Sequence, residues 1–261
     1  LLQGNQKLNE YASPMNDRYA TVNPAANANL VEGMKGFFNP TSTISRQFTA
    51  GMMGTGVLGY DEVNMSQSIV NHTTGTRDAS AATTVTSTIT AQGTSTIGLT
   101  QGSVTTTIKA GDVFTIADCY SVNPQTRQST GSLQQFVATT DATAVSGAWT
   151  VTISPAIYTP SNALATVDSF PVSGKTVTFL GAASSNYAQN LIYHKNAITF
   201  ATADLLLPQG VDMASRQVHN GISMRIVRQY DINNDNLPCR IDVLYGYKTL
   251  RPEWACRLHF N

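Results

Sequence analysis

The 261-residue chain carries 16 basic and 16 acidic residues, and only 12% of its residues are charged. A formal net charge of zero leaves no global excess to draw it to a phosphate backbone or an anionic membrane surface. At this length an ordinary core is buried without staples, and Cys119, Cys239 and Cys256, odd in number and widely spaced, fit reduced thiols better than a disulfide framework.

The opening "LLQGNQKLNE" lacks the basic and long apolar regions of a signal peptide, and no window approaches the ~20 apolar residues of a membrane span. Without an initiator Met it reads as the middle of a longer chain. Two helical pieces are expected first: "LLQGNQKLNEYASP", ended by Pro14, and "NPAANANLVEGMKGFF". In the second, Pro24 follows a capping-type Asn23, and Leu30, Val31 and Met34 fall at helical spacing. From Gly51 a glycine-rich turn region leads into a strand expected over 63–70.

Between Asp78 and Lys109 there is no charged residue, and 14 of residues 83–107 are Ser or Thr. That composition suits a disordered linker or a run of short strands, and the alternation decides between them. "TTVTSTITA", "TSTIGLT" and "SVTTTI" alternate apolar and hydroxyl residues between Gly and Gln-Gly breaks, the period of half-buried strands. The pattern continues through "GDVFTIADCYSV", "LQQFVATT", "AWTVTISPAIY" and "KTVTFLG". Six to eight strands up to Gly181 are therefore expected, as a sandwich or small barrel. A short helix is expected over 194–202, and then strands in "HNGISMRIVRQYDI", "PCRIDVLYGYKTL" and "EWACRLHF".

Three motifs suggest chemistry and lack its context. Asp231, Asn233, Asp235 and Asp242 sit at positions 1, 3, 5 and 12 of a calcium-loop rhythm. Yet Asn236 stands where that loop needs Gly, position 12 is Asp rather than Glu, and both flanks read as strands. The run "DINNDNLP" fits a connection between antiparallel strands better, because Asp and Asn tolerate left-handed angles and bond their own main chain. "GTGVLG", Gly54 to Gly59, satisfies a dinucleotide pattern but is followed by a strand rather than a helix. Cys256 and His259 make half a zinc site without a second pair, and His72, His194 and His219 have no nucleophile partner in sequence. No catalytic, cofactor or metal residue is assigned. Arg216, Arg225, Arg228, Arg240 and Arg251, set among Asp212, Asp231, Asp235 and Asp242, suit a subunit interface. Arg216, Arg225, Arg228, Asp231, Asp235 and Arg251 are the candidate contacts.

The runs "STISRQFTAGMMGTGVLGYDEVNMSQSI", "KAGDVFTIADCYSVNPQTRQSTGSLQQFV" and "NLIYHKNAITFATADLLLPQGVDMASRQVHNGISMRIVRQYDINNDNLPCRIDVLYGYKTLRPEWACRL" resemble the coat proteins of tailed double-stranded-DNA bacteriophages. The similarity is to the short-tailed branch, whose coat carries an inserted β-domain. It implies an α+β tailed-phage capsid fold, with axial and peripheral domains as in encapsulins and an inserted all-β barrel or sandwich. Residues 1–72 and 186–261 would then form the two parts of the capsid core, and residues 73–185 the insertion. The resemblance implies a major capsid protein, not an enzyme, that assembles with itself into pentamers and hexamers of an icosahedral head. Its implied partners are a scaffolding protein, a portal, a decoration protein and enclosed DNA bound without sequence specificity. It implies no cofactor and no membrane, assembly in the host cytoplasm and residence in the virion. An encapsulin-type shell subunit and a calcium-dependent β-rich adhesin are the alternatives.

Overall fold

The computed structural model describes residues 1–34, 54–78, 81–102 and 105–259. They are mostly β, with two helices, and separate into a larger unit, residues 1–194 and 253–261, and a smaller one, residues 195–252.

In the larger unit α1 spans Leu2–Glu10 and α2 Pro24–Met34, as the sequence leads one to expect. Asn23 caps α2, its Oδ1 accepting the Ala26 amide at 3.0 Å. Residues 35–53, which include the end of the second helical stretch and the start of the glycine-rich one, lie outside the described residues. Between the helices runs β1, Arg18–Val22, which the sequence reading missed. The strand expected over 63–70 lies earlier: β2, Gly54–Val57, and β3, Tyr60–Met65, form a hairpin whose two-residue turn, Leu58 and Gly59, has positive φ at both positions. Of the glycines of "GTGVLG", Gly59 serves that turn, while Gly54 and Gly56 lie within β2. β14, Asn190–His194, and β19, Ala255–Leu258, complete a five-stranded sheet in the order β19-β14-β1-β3-β2. Only β1 and β3 pair in parallel, and the segment holding α2 connects them. Leu8, Ala20, Val22, Tyr60, Val63 and Ile192 form the core of this part. α1 crosses closely at Gly4, where a Cβ would stand 2.3 Å from Ile192 Cδ1.

The Ser/Thr-rich stretch is a closed six-stranded antiparallel barrel. Its strands are β5 (Thr83–Val85), β6 (Thr94–Thr100), β8 (Val113–Val122), β9 (Ser129–Ala138), β11 (Ala148–Ile157) and β12 (Thr176–Phe179). Closure comes from β11 pairing with β6 on one side and β9 on the other. The alternation works as the sequence indicates: Ile97, Leu99, Phe114, Ile116, Phe136, Val151 and Ile153 point inward, while Thr96 and Thr150 face water. Two short strands, β7 (Thr107–Ile108) and β10 (Ala142–Thr143), pair beside it; of "SVTTTI", Ser103 and Val104 lie outside the described residues. Chain entry and exit are zipped by β4, Asn71–Thr73, against β13, Asn186–Ala188.

The smaller unit is a four-stranded antiparallel sheet, β15-β18-β17-β16, with β15 at Ile198–Ala203, β16 at Met213–His219, β17 at Ile222–Arg228 and β18 at Cys239–Thr249. The helix expected over 194–202 is only a 3-10 turn, Lys195–Ala197, followed by β15. β-Branched and aromatic Ile198, Thr199, Phe200 and Thr202 favour the pleated state, and residues 244–249 of β18 provide the pairing partner. β16 was also missed, although Asn220-Gly221, both at positive φ, closes the β16–β17 hairpin.

Truncating Phe114, fully buried between Phe136 and Phe179, should destabilise the larger unit by about 3–5 kcal/mol. Thr96→Ala, on the wet face, should move the urea midpoint little. Equal effects from the two variants would contradict the assigned inward and outward faces.

Candidate functional site

Strand register divides the small sheet into two unlike faces. Phe200 lies opposite Tyr247, Met224 opposite Val243 and Ile226 opposite Ile241, so these side chains share one face with Ile222 and Tyr245. That face is apolar and uncovered. Tyr247 is 78% exposed, Ile241 67% and Phe200 57%, and the stacked Phe200–Tyr245 rings touch water as well as each other. A patch of this kind marks a surface that meets other protein.

The opposite face carries Arg216, Arg225 and Arg240, whereas Arg228 falls at the edge of the first. Arg216 lies across from Arg225, and Arg225 across from Asp242. Asp242 accepts from Arg225 at 2.5 Å and from Arg240 at 2.6 Å, and these two guanidinium groups, Arg240 first, hold its carboxyl below the usual range. Arg225 Nη1 also donates to the Leu206 carbonyl at 2.5 Å, and Arg216 donates to the Leu205 carbonyl at 3.3 Å while pairing with Asp204 at 3.4 Å. The polar face is therefore crossed by the 204–206 segment, pinned there by two arginines.

The structure distributes the other candidate contacts differently. Arg228 pairs with Asp212 at 3.1 Å, an exposed bridge. Arg251 follows β18, with its amide donating to the Ala197 carbonyl at 3.2 Å. Asp231 serves its own loop, accepting from the Asn233 amide at 3.0 Å and the Asn234 side chain at 2.7 Å. These two contacts, the side-chain one first, lower its pKa. Asp235 takes the left-handed conformation, φ 48°, and accepts from the Tyr230 hydroxyl at 2.8 Å. Strands flank this loop on both sides, and its oxygens satisfy a turn rather than converge on a cation. The apolar face was legible in the alternation of "RIDVLYGYK", a signal the charged residues obscured.

A second polar centre lies inside the larger unit, where the barrel joins the five-stranded sheet. Asp112, between β7 and β8, is buried and accepts from Arg77 Nη1 at 2.8 Å, bonds His72 Nε2 at 2.9 Å, and accepts the Gly75 and Lys109 amides at 3.1 and 3.0 Å. The Arg77 guanidinium stacks over the Phe179 ring, 4.3 Å from its centre. From β19, Arg257 reaches the Gly111 carbonyl at 2.7 Å. On its other flank the barrel rests on α1: Asn123 donates to the Glu10 carbonyl, Ser132 to the Glu10 carboxylate and Tyr11 to Gln134.

Nucleophilic chemistry has little to work with. Burial pushes the Cys119 thiol up to about 12, and Cys256 is raised for the same reason. An open groove of about 570 Å³ between α1 and the β8–β9 hairpin is lined by amides and hydroxyls, including Asn5, Asn123, Gln128 and Thr130, with Glu10 the single carboxylate. Among the described residues no group of three or more His, Cys, Asp or Glu side chains is placed to hold a metal, and no helix is long and apolar enough to cross a membrane.

An exposed apolar sheet face, and a barrel held on its support by side-chain hydrogen bonds, suit a structural protein that meets other protein surfaces. The family model described as "P22 coat protein - gene protein 5" matches residues 5–258, and the chain belongs to that family. It is a structural major capsid protein of a short-tailed bacteriophage, of a kind that self-assembles into the shell of the virion. Among solved structures it is similar to the CUS-3 coat protein I-domain at 24% identity, over 40% of this chain and 100% of that one, with a TM-score of 0.31. No curated protein matches.

Removing the Asp112 carboxylate strands Arg77, whose side chain is 5% exposed, without its counter-charge. Asp112→Ala should cost about 3–5 kcal/mol in denaturant unfolding. Asp141→Ala, which removes the exposed Lys109 pair and an exposed acceptor of the Ala110 amide, should cost no more than about 1 kcal/mol.

Proposed function

We propose that the chain packs as pentamers and hexamers of an icosahedral head around double-stranded DNA, assembling in the host cytoplasm on a scaffolding protein and a portal. Residues 1–72 and 186–261 would supply axial and peripheral parts of the capsid core, and residues 73–185 the inserted domain. The β4–β13 ribbon, which ties residues 71–73 to residues 186–188, supports those boundaries. The observation that carries the assembly reading is the apolar face of the β15–β18 sheet. An amphipathic sheet so exposed is stable only when further coat polypeptide, of its own subunit or a neighbour, lies against it.

Zero net charge fits DNA enclosed without sequence reading, since no basic face is needed to hold it. A decoration protein would find the uncharged Thr-rich barrel wall available. An encapsulin-type shell would share the core, and the inserted barrel argues against it. The adhesin reading loses its calcium ligands to the turn around Asp231.

The candidate contacts divide accordingly. Arg216 and Arg225 fix the 204–206 segment, whereas Arg228, Arg251, Asp231 and Asp235 remain the residues proposed to meet neighbouring subunits.

Electron microscopy of the full-length protein with its scaffolding partner should show closed shells or aberrant shell fragments. Monomers and dimers under every assembly condition would contradict the reading. Replacing Asp231 and Asp235 together by Asn keeps the turn geometry and removes both charges. The double variant should keep the wild-type melting temperature and assemble more slowly, and an unchanged assembly rate would leave both as turn residues only.

A further inference from the structure

The joint between the barrel and the five-stranded sheet gathers four basic or protonatable side chains, His72, Arg77, Arg257 and His259, around one carboxylate, Asp112. Arg77 and His72 share that carboxylate. Arg257 donates Nη2 to the Gly111 carbonyl at 2.7 Å and Nη1 to Gln189 Oε1 at 2.8 Å. The fit is close: a Cβ on Gly111, whose φ is +102°, would lie 3.2 Å from His72 Cε1 and 3.5 Å from Arg257 Nη1.

These contacts dictate a protonation state. Because Arg257 needs an acceptor, the Gln189 amide must turn its oxygen toward it, and its NH2 group must donate elsewhere. It donates to the Tyr187 carbonyl at 2.8 Å and meets His259 Nδ1 at 3.4 Å. Nδ1 of His259 is therefore an acceptor, which a neutral imidazole supplies and an imidazolium does not. The His259 ring stands edge-on to Tyr187, and the charged or chargeable groups facing it are Arg257 on its own strand and His72 on β4. Lys109 and Asp141 pair with each other at the outer rim.

We propose that the Gln189–His259 contact makes the barrel joint acid-sensitive: a proton arriving at His259 Nδ1 meets the Gln189 NH2 group, displaces the amide, and releases Arg257 from the Gly111 carbonyl. With the Gln189 amide gone from the Tyr187 carbonyl the β4–β13 ribbon frays, and the barrel hangs on its contacts with α1. Burial, followed by Arg257 and His72, lowers the His259 pKa from its ordinary 6.5. For a base with a lowered folded pKa, the stabilisation is complete above the unfolded value and is lost as pH falls through it toward the folded one. The joint is thus closed at neutral pH and loosens in acid.

Amide exchange of residues 71–73 and 186–188 in the full-length protein, corrected for intrinsic rates from about pH 8 to about pH 5, reads this directly. Protection should fall about tenfold across that range. His72→Gln should show the same fall. His259→Phe, which keeps an aromatic edge against Tyr187 and takes no proton, should show none. If His259→Phe does not fold, the ring-proton NMR titration of His259 in the wild type must track the exchange of the joint amides. The proposal is overturned by pH-independent protection in the wild type, by an undiminished fall in His259→Phe, by loss of the fall in His72→Gln, or by a His259 titration that runs apart from the amides.

Discussion

An apolar sheet face in water is the constraint on which the rest of this molecule depends. Each fully buried aliphatic or aromatic side chain is worth about 1.5–3 kcal/mol over its exposed state, and the face formed by Phe200, Met224, Ile241, Val243, Tyr245 and Tyr247 leaves that stabilisation unrealised. The other face cannot substitute for it, because Arg225 and Arg240 share Asp242 there and Arg216 and Arg225 hold the 204–206 segment across it. A protein built this way reaches its stable state by covering surface with more protein, which is what a coat subunit does.

The larger unit solves the opposite problem. Its barrel closes on itself and keeps hydroxyl side chains outward, so it needs no partner to satisfy its core. It needs to be aimed, and two unlike contacts do so. On one flank, part-buried hydrogen bonds of Asn123, Ser132 and Tyr11 seat it on α1. On the other, a buried carboxylate gathers Arg77 and His72 at the chain entry, while Arg257 comes across from the five-stranded sheet. Hydrogen bonds to a buried charge are directional and strong, so the second contact sets the angle that the first supports.

Legibility in the sequence followed how far single residues obeyed the pattern of their element. The barrel was readable because Ile97, Leu99, Phe114 and Val151 alternate mostly with Thr and Gly, and the cap at Asn23 was readable from its neighbour Pro24. β1 was not, because one of its three buried positions is Arg18. Its guanidinium is satisfied by the carbonyls of Ser13 and Pro14, both at 2.7 Å, and by the Asn5 side chain, so a charge fills a place where the pattern asks for a hydrophobe. The same confusion reversed the reading of the small sheet. Its charges suggested contacts, and the structure shows Arg216 and Arg225 holding the 204–206 segment of their own unit while the uncharged residues of the other face stay exposed. The cluster at Asp112 was beyond sequence reasoning altogether, since His72 and Arg77, Asp112, and Arg257 come from three separated segments that only the strand topology brings together.

The central claim is that the Tyr247 face is covered in the native shell. Hydroxyl-radical footprinting followed by mass spectrometry measures it most directly, by comparing oxidation of Tyr245 and Tyr247 in assembled shells with that in the isolated 261-residue chain. The account predicts rapid labelling in the isolated chain and strong protection in the shell, with Thr96 and Thr150 on the barrel wall serving as positions of unchanged exposure. Labelling of Tyr247 in shells at the rate seen in the isolated chain would contradict it.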